Sequence, residues 1–437
     1  MKRVAIIGSG ISGLGAAYAL KDSADVTVFE ARDRVGGHAH TVDIEYDGVA
    51  MSVDVGFIVY NGLNYPNLTG FFNALGVETE ASDMSFAVSN PDGYEWASTV
   101  RGIFAQKRNL FRPAFHRFWR TILKFNDLAR TELANGGVGN VSLGTWLDTR
   151  NFGEDFKQNY ILPMAGAIWS TPERGVLDFP AVSFFNFFEN HRLMHKERPK
   201  WRTVSGGSIN YVKKASAALG ARIKQGAPVK RISPFGDRTR VDYGEGHNDI
   251  FDEIVFACHS DQALALLDPA YDDQRFLLGS ARYRPNKIYL HRDKRLMPKR
   301  KAAWASWNVM KGGGEDITLT YWMNRLQNLR ADRPLFVTLN PETAPAPESV
   351  FYETSFDHPQ FDAPADAAVR SIKRMQGQDG LWFAGAWMGH GFHEDGLKSG
   401  LAVALALGGS VPWKVENVDT YENARPSLPL QRVGAKQ

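Results

Sequence analysis

The run Val4-Ala5-Ile6-Ile7-Gly8-Ser9-Gly10-Ile11-Ser12-Gly13 constrains this chain more than any other stretch. A short apolar strand leads straight into glycines spaced G-x-G-x-x-G, and an alanine-rich helix follows. Gly8 permits a tight strand-to-helix turn, Gly10 lets the backbone approach a pyrophosphate, and Gly13 lets helix and strand pack closely. Ser12 sits in the first helical turn, where free N–H groups and the helix dipole both favour an anion. A second strand, Val26-Thr27-Val28-Phe29, ends on Glu30, 17 residues after Gly13. A carboxylate there can accept hydrogen bonds from a ribose 2′-OH. These parts, in this order, predict a dinucleotide site in an α/β fold.

Size and composition predict a large enzyme. A chain of 437 residues exceeds one typical core and predicts two interleaved domains. Its hydrophobic content of 43% provides ample core, and no window approaches 18 consecutive apolar residues, so no membrane-spanning helix is expected. Met1-Lys2-Arg3 runs directly into the first strand without a signal-peptide pattern, and Cys258 is the sole cysteine. The expectation is a cytoplasmic protein without an intrachain disulfide. Cys258 ends the apolar strand Ile254-Val255-Phe256-Ala257 and reads as a buried thiol.

Beyond Glu30 the sequence continues Ala31-Arg32-Asp33-Arg34-Val35-Gly36-Gly37. This stretch resembles the FAD-binding N-terminus of the amine oxidase, protoporphyrinogen oxidase and phytoene desaturase superfamily, whose pattern is E-A-x-x-R-x-G-G-R. His38 stands where that pattern has its last arginine. Other segments match as well. Asp54-Val55-Gly56-Phe57, Pro66 and Gly76 resemble the segment beside the flavin ring, and Val229 falls where the family's backbone meets the adenine. Leu381 to Gly385, followed by Gly391 to Gly400, resembles a strand and a helix whose N-terminus stabilises charge on the reduced flavin. Ala386 replaces the usual acid there, and Glu394 either compensates or is an ordinary first-turn helix acid.

The resemblance implies non-covalent FAD. It would be held by Gly8, Gly10, Ser12, Gly13, Glu30, Ala31, Arg32, Gly36, Gly37, His38, Gly56, Phe57, Val229, Gly385, Glu394, Gly396 and Leu397. The implied fold is an amine-oxidase-like α/β architecture. A discontinuous Rossmann-like FAD domain (1–80, 203–270, 376–421) is interleaved with an α+β substrate domain (81–202, 271–375), and a tail covers 422–437.

The net charge of +3 is unevenly spread. Residues 101–124 carry +7, 191–203 carry +4 and 282–301 carry +8, leaving −16 for the remainder. Such asymmetry points to an anionic partner surface. From Pro113, a good helix start, Phe115, Phe118, Trp119, Ile122 and Leu123 recur at three- and four-residue steps, with Arg117, Arg120 and Lys124 mostly opposite. This reads equally as a helix lying on an anionic bilayer or as one packed into the substrate domain. No nucleic-acid-binding motif accompanies the charge, so no nucleic-acid partner is expected. A homodimer is compatible with all of this.

A flavin carries the redox step, so the protein supplies position, dryness and an electrophilic hand. Tyr283 to Leu290 resembles the strand carrying the amine-oxidase lysine, which reaches flavin N5 through a water, and Lys287 falls at its position. His390 and His393 flank the flavin-proximal loop and could each move a proton or make a structural hydrogen bond. Tyr321, Trp322 and Asn324 are pocket candidates, while Leu162 to Trp169 and the aromatics Phe184 to Phe188 and Trp304 to Trp307 could wall an apolar substrate. No Cys/His cluster has metal spacing.

The wording of residues 36–41, 54–61, 257–264, 319–327 and 391–396 resembles bacterial flavoproteins associated with cyclopropane- and methyl-fatty-acid modification, including the desaturase of furan fatty acid synthesis. That implies an acyl phospholipid substrate, desaturated to a conjugated diene by a protein lying at the inner face of the membrane. A flavin-dependent amine oxidase and a non-catalytic flavin-binding protein are the alternatives.

Overall fold

The computed structural model describes residues 1–169, 173–312 and 317–421; the tail 422–437 lies outside them. Among these residues, a five-stranded sheet runs in the order Ile223–Lys224, Asp25–Phe29, Arg3–Ile7, Glu253–Phe256, Leu381–Phe383. Every neighbouring pair in it is parallel. Val4 to Ile7 and Glu253 to Phe256 are buried along their lengths, as continuous apolar runs require when both sheet faces are covered. All five strands end at one edge, where Gly8, Glu30, Ala257 and Ala384 continue the chain.

One face of this sheet is covered by the helix Ile11–Leu20, which is buried almost all round because Ala and Gly dominate it. Across it lies the C-terminal helix His393–Ala406, three residues longer at its start than the glycine at 396 suggests. The two approach until backbones meet. A Cβ on Gly400 would sit 2.2 Å from the Ser12 carbonyl oxygen, and one on Gly15 would sit 2.3 Å from Leu397 Cδ1. Both helices therefore begin at the same sheet edge and point their N-termini towards it.

A second, seven-stranded sheet runs Val350–Pro359, Tyr283–His291, Phe336–Leu339, Thr318–Trp322, Trp307–Met310, Phe86–Ser89, Glu95–Ala97. It is antiparallel except where Trp307–Met310 meets Phe86–Ser89. Helices Pro113–Ala134, Leu143–Thr149, Leu162–Trp169 and Ala181–Asn190 pack with it around one aromatic core holding Phe125, Trp146, Phe184, Phe185 and Phe188.

The helix from Pro113 forms as expected, but Phe115, Phe118 and Ile122 are only 3–6% exposed, inside this core or against it. Of the two readings of that face, the packed one holds for these three residues, while Leu123 is 56% exposed. Amphipathic spacing alone does not distinguish bilayer from protein interior.

The helix crossing can be tested directly. Gly400→Val forces a side chain against Ser12 backbone and is expected to destabilise the protein by about 3 kcal/mol or more. Denaturant unfolding followed by circular dichroism checks this.

Candidate active site

The glycine turn, Glu30 and the double-glycine loop form one cradle. Gly8 has φ +106, and its N–H donates to the Phe29 carbonyl. A Cβ on Gly13 would lie 2.0 Å from the Gly8 carbonyl oxygen, whereas one on Gly10 would meet nothing within 4 Å. The open side belongs to the glycine expected to approach a pyrophosphate. Glu30 is buried, and its carboxylate accepts from the Ser9 hydroxyl, the Ser9 N–H at 3.2 Å and the Arg32 N–H at 2.9 Å. Gly36 N–H donates to the Ser9 carbonyl at 3.1 Å, and Gly37 lies against Gly10. Arg34 clamps this loop through Gly37 O at 2.9 Å, while its Nη2 is buried with no protein partner. Ala31 and Arg32 are exposed beside Glu30. Ala227 N–H donates to Glu30 O, and Gly226 N–H to Arg32 O, which brings the strand beginning at Val229 alongside the acid.

Beyond the cradle, three histidines gather where an arginine is usual. His38 lies 5.6 Å from His259 and 6.1 Å from His358, ring centre to ring centre, with Phe356 4.7 Å away. His259 stacks on Tyr283 at 4.6 Å, and its Nδ1 is buried without a partner. Burial holds His38 well below its ordinary pKa and lowers His358 to about 4. Among the described residues no group of His, Cys, Asp or Glu is arranged to hold a metal ion. His259, His358 and Phe356 were not legible as site residues, because strands and loops far apart in sequence bring them together. Cys258 also joins this edge. Its carbonyl accepts from Trp387 Nε1 at 3.1 Å, and burial pushes its thiol up to about 12.

The other end of the site is built on the C-terminal helix. His393 stacks face to face on Phe57 at 3.7 Å, and its Nε2 lies 3.1 Å from the buried Tyr211 hydroxyl. Burial lowers the His393 pKa to about 3, so the ring is neutral and fixed. His390 is exposed, 6.1 Å from the Phe187 ring. Phe187, His191 and Phe392 form an aromatic wall, with Phe187 stacked on His191 at 3.9 Å and on Phe392 at 5.5 Å. Gly385 and Gly396 are buried at this end. A Cβ on Gly385 would strike the Trp387 ring, and one on Gly396 would meet Ile11 and Ser12.

Three assignments need correction. Glu394 does not turn towards a cofactor: it accepts from Asn67 N–H at 3.0 Å, Asn67 Nδ2 at 2.7 Å and Leu68 N–H at 2.9 Å, capping the helix Pro66–Ala74. The Leu397 side chain is buried in the helix crossing against Gly15, leaving only its backbone for a ligand. Lys287 is 57% exposed and pairs with Glu353 at 2.9 Å, and its charge is reinforced by Tyr289 and then Glu353. Its neighbour Asn286 is fully buried, bonded by Asn340 Nδ2 at 2.7 Å and registered opposite Phe356. A strand alternates faces, so Lys287 and Asn286 cannot both look inward. Among the pocket candidates, Asn324 holds the 330–335 loop and Trp322 packs on Trp304, while Tyr321 stands edge-on to Trp307.

A family model described as flavin containing amine oxidoreductase matches residues 11–330. The chain belongs to that family. Flavin-containing amine oxidase A of Canis lupus familiaris is 37% identical over 131 residues, 29% of this chain and 22% of that protein. The chain thus spans about a fifth of the length of this curated relative. Putrescine oxidase, solved with putrescine, aligns over 93% of this chain and 98% of its own with TM-score 0.67 and 17% identity. A CLA-producing fatty acid isomerase from P. acnes aligns over the same shares with TM-score 0.64 and 16% identity. At these identities the likeness establishes the fold.

This flavin-containing amine oxidoreductase family member is therefore an FAD-dependent oxidoreductase. Its cradle fits that cofactor: the space at Gly10, the unpartnered Arg34 Nη2 and the helix N-terminus at Ile11 all suit a pyrophosphate, and Glu30 suits a ribose.

Two outcomes follow from this geometry. Lys287→Met removes an external ion pair and should leave the rate of flavin reduction within about twofold, since exposed pairs contribute little; stopped-flow absorbance measures it. For the histidines, the unfolded chain takes up protons near pH 6.5 while folded His358 waits until about 4 and His393 until about 3. The unfolded state binds more protons in that window, so stability falls as pH drops through it. His358→Gln should flatten the pH dependence of flavin-free unfolding by about 2–3 kcal/mol across that window. Denaturant midpoints taken across that pH range decide it.

Proposed function

We propose that this flavoprotein desaturates a methyl-branched, unsaturated fatty acyl chain, carried on a phospholipid, as in furan fatty acid synthesis. The observation carrying this reading is the aromatic wall of Phe187, His191 and Phe392, beside which the carboxylates of Glu394 and Asp395 already accept hydrogen bonds from the chain. Glu394 is engaged by the helix at Asn67 and Leu68, and Asp395 accepts from the backbone N–H groups of His390 and Phe392, each at 3.1 Å. An amine would meet histidines here, and an acyl chain meets apolar surface. A fatty acid isomerase sharing the fold is consistent with such a substrate.

Bound FAD supplies the hydride-accepting chemistry, and loss of a hydride and a proton from adjacent carbons beside a double bond leaves a conjugated diene. The chain's residues hold the substrate and keep water out. Phe57 and His393 form one rigid stack, and Tyr211 fixes the imidazole from behind. His393, held neutral, places no charge beside an apolar chain. In this proposal the exposed His390 carries the departing proton to solvent.

Anaerobic mixing of the purified flavoprotein with methyl-branched acyl phospholipid should bleach the blue absorbance of oxidised flavin, and simple amines should leave it unchanged. Bleaching by amines alone would overturn the proposal in favour of amine oxidation.

A further inference from the structure

The most unusual surface of this protein lies away from the cradle, on residues 100–112. Val100 is 80% exposed, Phe104 40%, Leu110 45% and Phe111 88%. These side chains are presented by an anchored segment. The Thr99 hydroxyl caps Gly102 N–H at 3.0 Å, Gln106 Nε2 donates to Gly93 O at 2.7 Å, and Asn109 is fully buried. Around them stand Arg101, Lys107, Arg108 and Arg112, with Arg117, Arg120 and Lys124 along the following helix, all exposed. Among the described residues none of these seven forms an ion pair. The short helix Val100–Ile103 also packs against the turn Lys301–Ala303, bringing the exposed Lys299 and Lys301 to the same side. Two basic segments almost 200 residues apart in sequence thus share one face.

We propose that this face docks the protein on an anionic phospholipid bilayer, with Val100, Phe104, Leu110 and Phe111 entering the interface and the surrounding cations meeting headgroups. Charge complementarity selects the occupant. Cations unpaired within the protein and ringing apolar tips match a surface whose headgroups are negative and whose interior is apolar. A nucleic acid would use the cations and leave Phe111 and Val100 in water. Docking on this face needs only exposed residues and is independent of what the flavin oxidises.

The test is flotation of the full-length, FAD-loaded protein with vesicles of phosphatidylcholine alone or mixed equally with phosphatidylglycerol. Binding is expected to the mixed vesicles and to weaken steeply as salt is raised. Phe111→Ser with Val100→Ser should reduce partitioning by about tenfold or more. Arg101→Gln, Lys107→Gln and Arg108→Gln together should reduce it by about a hundredfold. Retained flavin absorbance shows that these surface variants fold. The proposal is overturned if the wild type fails to float with anionic vesicles, if the variants float as well as the wild type, or if duplex DNA retains the protein while vesicles do not.

Discussion

Everything at the catalytic edge depends on two helices touching through their backbones. The helix after the first strand and the helix near the end of the chain meet where Gly400 faces the Ser12 backbone, Gly15 receives the Leu397 side chain and Gly396 receives those of Ile11 and Ser12. Each glycine costs about 1 kcal/mol of helix propensity relative to alanine. Burial and dispersion along the contact offset that cost, since both helices are apolar and nearly enclosed. The geometry also sets the electrostatics. Two positive helix ends converge on one sheet edge, one near the pyrophosphate cradle and the other at the aromatic wall.

The same edge substitutes imidazoles for a guanidinium. A buried arginine keeps its charge at any relevant pH, whereas His38, His259 and His358 are held neutral by desolvation in the chain itself. Permanent positive charge near the cofactor therefore comes from Arg34 at the loop and from helix ends. The middle of the site is less polar than in a chain with arginine there.

The sequence was most legible where chemistry is local. Gly8 to Gly13, Glu30 and Gly36-Gly37 each act within a few residues of their neighbours, and the structure brings them into one cradle. It was least legible where the answer depends on which way a strand faces. A one-residue difference in parity separates Lys287, outside with Glu353, from Asn286, inside beside Phe356. Glu394 was ambiguous because a first-turn acid can serve its own helix or a neighbour's, and the neighbour begins at Pro66, over 300 residues earlier. The helix from Pro113 left two readings open, and the packed one holds for Phe115, Phe118 and Ile122, whereas Leu123 is exposed, as are several apolar residues just before the helix. His259 and His358 carried no signal, because a lone histidine near a strand end has no periodicity to betray it.

The parallel sheet has a consequence for how the enzyme is made. Its central strand, Arg3–Ile7, is synthesised first, yet one flank waits for Glu253–Phe256 and the outermost strand for Leu381–Phe383. More than half of the chain must therefore leave the ribosome before the first strand is paired on both sides. Such long-range pairing is slow, and the waiting edge is apolar. The helix that packs on the fingerprint helix, His393–Ala406, is made later still. A cofactor that binds the finished state alone pulls the folding equilibrium towards it. Flavin binding and the stability of the closed sheet are thereby linked through the last helix of the fold.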